Sequence, residues 1–102
     1  MRTIEIIDTG ISLKDISKND LLVFQGREDE RVLEIDNEIG RLWTEGPDGE
    51  GGIRISDYVL PFTKTITPKS MRKVYSLYDG YPDSLMRFRQ LQEEKRKWQL
   101  HE

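Results

Sequence analysis

Cysteine is absent from the 102 residues of this chain. That excludes disulfide stapling and thiolate metal sites. Histidine occurs once, at the penultimate position His101, and a chain end does not hold a general base in place. No Ser-His-Asp arrangement or imidazole metal site is expected. No apolar run approaches the roughly eighteen residues of a membrane span. The opening Met1-Arg2-Thr3-Ile4-Glu5 lacks the apolar stretch of a secretion signal. Apolar residues are also scarce: 35% of the chain against 34% charged, where ordinary domains have roughly 45–50% and 25%. The expected protein is therefore soluble and cytoplasmic, with a thin core under a highly charged surface. Nine aromatics and periodic apolar runs argue against disorder.

The charge that is present is divided along the chain. Residues 1–66 carry eight basic and fourteen acidic side chains, and residues 67–102 carry eight basic and five acidic. The division falls at Thr67-Pro68, where the apolar pattern changes from strand-like to helix-like. Two units are predicted: an acidic β unit over 1–66 and a basic helical extension over 67–102.

Short strands are expected throughout the first unit. Ile4 and Ile6 alternate with Thr3 and Glu5, and Thr9-Gly10 closes that run. Ile11 to Ile16 fits either a strand or one helical turn. Leu21-Leu22-Val23-Phe24 is apolar on both faces, so each side needs cover. Leu33 and Ile35 are placed on one face of the next strand, with Glu34 and Asp36 on the other. Asn37-Glu38-Ile39-Gly40 reads as a hairpin connection whose glycine suits a left-handed residue. Arg41 to Glu45 returns, and the segment from Gly46 to Gly52 is a turn. Four to six strands with regular turns predict a small antiparallel β-barrel or sandwich.

In the extension, Thr67-Pro68 has the form of an N-cap followed by a first-turn proline. Met71, Val74, Tyr75 and Tyr78 continue at helical spacing to Gly80, which predicts a helix over about 68–79. Asp83 or Ser84 opens a second helix over about 83–99. Its apolar stripe is Leu85, Phe88, Leu91 and Trp98, interrupted by Lys95, and Glu93 is spaced to pair with Lys97.

No constellation of residues builds an active site. Ser70-Met71-Arg72-Lys73 matches the S-x-x-K nucleophile motif, but the companion motifs of those enzymes are missing. The glycine-rich turn lacks the Lys-Ser or Lys-Thr of a phosphate loop. The acidic residues Glu28, Asp29, Glu30, Glu34, Asp36 and Glu38 do not follow calcium-loop spacing and read as a solvated face and hairpin tips. No cofactor or metal is expected, and no enzymatic activity.

Gly52-Ile53-Arg54-Ile55-Ser56-Asp57-Tyr58-Val59 resembles the closing segment of Src-homology-3 domains. Ile16-Ser17-Lys18-Asn19-Asp20-Leu21-Leu22-Val23 is similar to their diverging turn and following strand. The resemblance covers residues 16–61 and implies a small barrel of that type. Ile55 stands where that family has proline, and its N-terminal aromatic motif is missing. Of the family's groove residues, only Tyr58 carries over.

The expected function is a protein-interaction module with no catalytic role. Its contact residues are expected to be Trp43, Tyr58, Glu34, Asp36 and Glu38 on the β unit, and Arg87, Phe88, Lys97 and Trp98 on the extension. The partner is a protein, with a homodimer through the C-terminal helix as one form. A small acidic accessory or inhibitor protein of a phage or mobile element is a second reading. Nucleic-acid binding through the basic helix is a third, disfavoured because the acidic unit repels phosphate. Membrane binding is not expected.

Overall fold

In the computed structural model, which describes residues 1–60, 62–69, 72–77 and 82–100, eight strands precede one helix. They are β1 (Thr3–Ile6), β2 (Ile11–Ser12), β3 (Leu21–Phe24), β4 (Glu30–Asp36), β5 (Arg41–Pro47), β6 (Ile53–Val59), β7 (Thr65–Ile66), β8 (Arg72–Leu77) and α1 (Asp83–Leu100). A single 3-10 turn, Leu13–Asp15, follows β2, so the ambiguous stretch after Gly10 is both a strand and a turn.

The main sheet has six strands in the order β1-β3-β4-β5-β6-β8. It is mixed: β1 runs parallel to β3, and the other neighbours are antiparallel. β2 and β7 form a separate antiparallel pair. Among the described residues no pairing links the edge strands β1 and β8. The expected closed barrel is therefore corrected to an open sheet with a layer on each face.

One face carries the larger core, built from Ile6, Leu22, Phe24, Val32, Leu42 and Tyr58 of the sheet. The β2–β7 region closes over it with Leu13, Ile16, Leu60 and Ile66. The opposite face carries a smaller core of Leu33, Trp43, Ile55 and Leu85, with Phe88 packed beside it. Leu85 and Phe88 belong to α1, so the helix is the cover of this second face.

A β-bulge assigns residues to these faces. The β4–β5 register shifts between Val32 and Glu34, which leaves Leu33 as the extra residue. A bulge reverses the alternation beyond it. Leu33 accordingly joins the helix-side core, while Ile35, paired with Leu42, packs on the larger one. The expectation that Leu33 and Ile35 share a face is thus corrected. Glu34, paired with Trp43, is turned toward the helix side.

The hairpin at 37–40 has the expected geometry. Gly40 has φ of 77°, and the Asp36 carboxylate accepts the backbone N–H of Glu38 at 3.1 Å.

The helix expected over 68–79 is not formed: Arg72–Leu77 is a strand. Thr67-Pro68 leads into a turn, not a helix. β8 pairs with β6 through Ile55↔Leu77, Ser56↔Ser76, Asp57↔Tyr75, Tyr58↔Lys73 and Val59↔Arg72. The physical reason is supply and demand for backbone hydrogen bonds. A short isolated helix is marginal, whereas β6 offers an otherwise unpaired edge, and Val and Tyr are good strand formers. The basic extension therefore contributes a strand to the acidic unit's own sheet and one helix, not a helix pair.

Candidate functional site

The second helix begins at Asp83 and runs to Leu100, close to the expected limits. Its first turns are fastened to the sheet through a polar chain. The Trp43 Nε1–H donates to Ser84 Oγ at 3.0 Å. Ser84 Oγ donates to Asp57 Oδ2 at 2.8 Å. Arg41 donates to both Asp57 oxygens, Nε to Oδ1 at 2.8 Å and Nη2 to Oδ2 at 2.6 Å. Phe88 lies on Trp43 with ring centroids 5.0 Å apart, and Arg41 sits over the indole at 5.3 Å. Ser84 thus links the helix to the sheet, and the backbone N–H groups of Leu85 and Met86 donate to Pro82 O.

One turn further along, Arg89 Nε pairs with Glu34 Oε1 at 3.2 Å, and Lys18 pairs with the same oxygen at 2.8 Å. Here the basic helix meets the acidic β unit within one chain. Beyond this point the helix leaves the body. Every residue from Gln90 to Gln99 is exposed, and Trp98 is 76% exposed. Glu93 pairs with Arg96, in place of the expected Lys97.

The expected contact residues fall into three groups. Trp43 and Tyr58 are each only 1% exposed; both are core residues with their polar atoms bonded internally. Asp36, Trp43, Arg87 and Phe88 come together around a shallow recess of about 350 Å³ at the start of α1, while Glu34 is buried under Arg89. Glu38, Lys97 and Trp98 are exposed, the first at a hairpin tip and the others on the overhanging helix.

A second polar centre corrects the expectation that Glu30 belongs to a solvated acidic face. Glu30 is 2% exposed. It accepts Thr44 Oγ1 at 2.6 Å and the Tyr58 hydroxyl at 2.7 and 2.8 Å. Arg27 donates to Glu30 Oε2 at 3.1 Å and stacks on Phe24 at 3.7 Å from the ring centre. In the sequence Glu30 is one acid in the run Glu28-Asp29-Glu30. The available clue was its even spacing from Val32, which places both on the core side. These side chains satisfy one another's hydrogen bonds.

Burial and the adjacent Glu30 carboxylate push the Tyr58 phenol above its ordinary value of 10.0. The neutral phenol is favoured in the folded state. As pH rises past about 10 the unfolded chain loses this proton first, so stability is full below that pH and declines above it. The expected slope is about 1.4 kcal/mol per pH unit. Urea midpoints measured from pH 9 to 11 should fall in the parent and lack this component in Tyr58→Phe; equal slopes would rule the assignment out.

Among the described residues, no group of three or more acidic or histidine side chains is placed to hold a metal ion. No described helix is long and apolar enough to cross a membrane. No protein-family model, curated protein or solved structure matches the chain.

Proposed function

We propose that this chain is a protein-interaction module without catalytic activity, and that its contact element is the overhanging half of α1. The observation that carries this is the exposure of Trp98 on a helix whose first half is firmly seated. Phe88, Leu91, Lys95 and Trp98 recur at three- and four-residue steps along one face. Phe88 is used by the body, whereas Leu91 and Trp98 are left outside it. Holding a large aromatic in water is unfavourable, and tryptophan is enriched among the residues that dominate protein interfaces. Lys95, Arg96 and Lys97 surround it, which favours an acidic protein surface as partner. The partner lies in the cytoplasm in this reading.

The test is capture from the source cell with the parent chain, Trp98→Ala and a charge reversal of Lys95, Arg96 and Lys97. One partner retained by the parent and lost in both variants is the expected result. Because these residues are exposed, the variants should unfold within about 0.5 kcal/mol of the parent. Equal capture by all three would remove the helix as the contact element. The same proteins decide two other readings. Duplex DNA bound at low salt and released by added salt would favour nucleic acid. A dimer that Trp98→Ala converts to a monomer would make a second copy the partner.

A further inference from the structure

Arg54 lies on β6 opposite Gly46 of β5, on the side of the sheet shared with Ser56 and Tyr58. Its side chain is partly buried. Its Nε atom is wholly buried and makes no hydrogen bond. Five other described arginines have a carboxylate partner: Arg2 with Asp20, Arg27 with Glu30, Arg31 with Glu45, Arg41 with Asp57, and Arg89 with Glu34. A buried guanidinium donor without an acceptor is costly, so its retention calls for an explanation.

The β5 residue opposite Arg54 is Gly46, so β5 offers no side chain there. A Cβ at Gly46 would meet the Asp29 carbonyl oxygen at 2.9 Å and Glu30 Cγ at 3.3 Å. Arg54 instead lines a recess of about 580 Å³ with Gly26, Arg27, Glu28, Glu30 and Tyr58. The carboxylate in its floor is already occupied, because both Glu30 oxygens take hydrogen bonds from Thr44, Tyr58 and Arg27. The Tyr58 proton is spent on Glu30 as well. Arg27 is held by Phe24 and Glu30 through one nitrogen, Nη2, and a guanidinium has five N–H donors in all.

We propose that this recess binds a small oxyanion, the phosphate or carboxylate group of a ligand, with Arg54 as its principal donor and Arg27 as its second. A guanidinium presents paired N–H groups that match two oxygens of such a group. The Glu30 carboxylate in the floor is matched by Arg27, and Glu28, exposed on the rim, opposes the anion and sets the sign of one variant.

The test uses the full chain, with arginine Nε–Hε and backbone amide resonances followed in nitrogen-edited spectra. Inorganic phosphate and acetate are titrated separately at constant ionic strength, with chloride as the control. The Arg54 Nε–Hε resonance and the Gly26 amide should shift saturably, with a dissociation constant of about 1 mM or tighter. Arg54→Gln should abolish the saturable shift at Gly26, and Glu28→Gln should tighten binding roughly twofold. Saturation by phosphate alone assigns a phosphate group, and by acetate alone a carboxylate. Shifts no larger than those of chloride for both anions, or undiminished binding in a folded Arg54→Gln, would overturn the proposal. The parent titration and the exposed Glu28 variant decide the matter even if Arg54→Gln fails to fold.

Discussion

Trp43→Ala is expected to lower the unfolding free energy by about 3–5 kcal/mol, the range for deleting a large buried aromatic. Trp43 is the common contact of the helix-side core: Leu33, Ile55 and Leu85 surround it, and Phe88 lies on its face. Its removal leaves a void and deprives Ser84 of the indole donor. The helix then keeps Leu85, the Ser84–Asp57 bond and the Arg89–Glu34 pair, of which only Leu85 is strongly apolar. Trp43→Phe retains the ring stacking and loses the N–H, so it should cost about 1 kcal/mol for the bond plus a smaller packing loss. Urea unfolding followed by far-ultraviolet circular dichroism measures both. The control is Trp98→Ala, expected to change stability by less than about 0.5 kcal/mol. Two tryptophans so different in burial also allow a direct check. In Trp98→Phe the remaining emission reports Trp43 alone and should be shielded from a soluble quencher. A quenchable Trp43, or a Trp43→Ala variant as stable as the parent, would mean that the helix is not seated as described.

Glu30→Ala should be comparably damaging, about 3–5 kcal/mol, because it removes one partner of a buried charged network. The Tyr58 and Thr44 hydroxyls would lose their shared acceptor, and Arg27 its carboxylate. Glu30→Gln is the informative companion. Its amide keeps one oxygen for the hydroxyl donors and the same shape, and gives up the charge facing Arg27. Arg27 is partly exposed, so solvent screens that pair and its loss is modest. The expected cost is about 1–2 kcal/mol. Without the carboxylate beside it, the Tyr58 phenol should also ionise more readily, so the alkaline decline in stability should become shallower. A Glu30→Ala variant within 1 kcal/mol of the parent would show that the network does not hold the strands together.

Some of this architecture can be read locally. The connection at 37–40 follows from Asp36 bonding its own turn and from a glycine that takes positive φ without strain. The limits of α1 follow from Pro82 ahead of it and from a stretch of strong helix formers free of proline and glycine. Strands β3 to β6 follow from apolar alternation between turn residues. Other features are not local. Met71, Val74, Tyr75 and Tyr78 fit a helical period over so few residues that a strand fits them as well. The partner for β8 is the edge of β6, which no nearby residue announces. The positions of Trp43 and Tyr58 were open for the same reason, since either face of a strand can be the wet one until something covers it.

By itself the sequence determined what depends on neighbours in the chain: the hairpin turn, the extent of the C-terminal helix, the β-rich first unit and the division of charge at Thr67-Pro68. Only the tertiary structure decided which surfaces meet. The bulge at Leu33 turned Glu34 toward the helix, where Arg89 neutralises it, so part of the charge division is spent on joining the two units. The helix is longer than the face it covers, which leaves Leu91 and Trp98 in solvent. Both oxygens of Glu30, the carboxylate beside Arg54, are taken by other donors, which leaves Arg54 Nε without an acceptor. These outcomes depend on distances between residues far apart in the chain. Such distances are set by strand register and by competition for unpaired backbone edges, and neither is written in a local pattern.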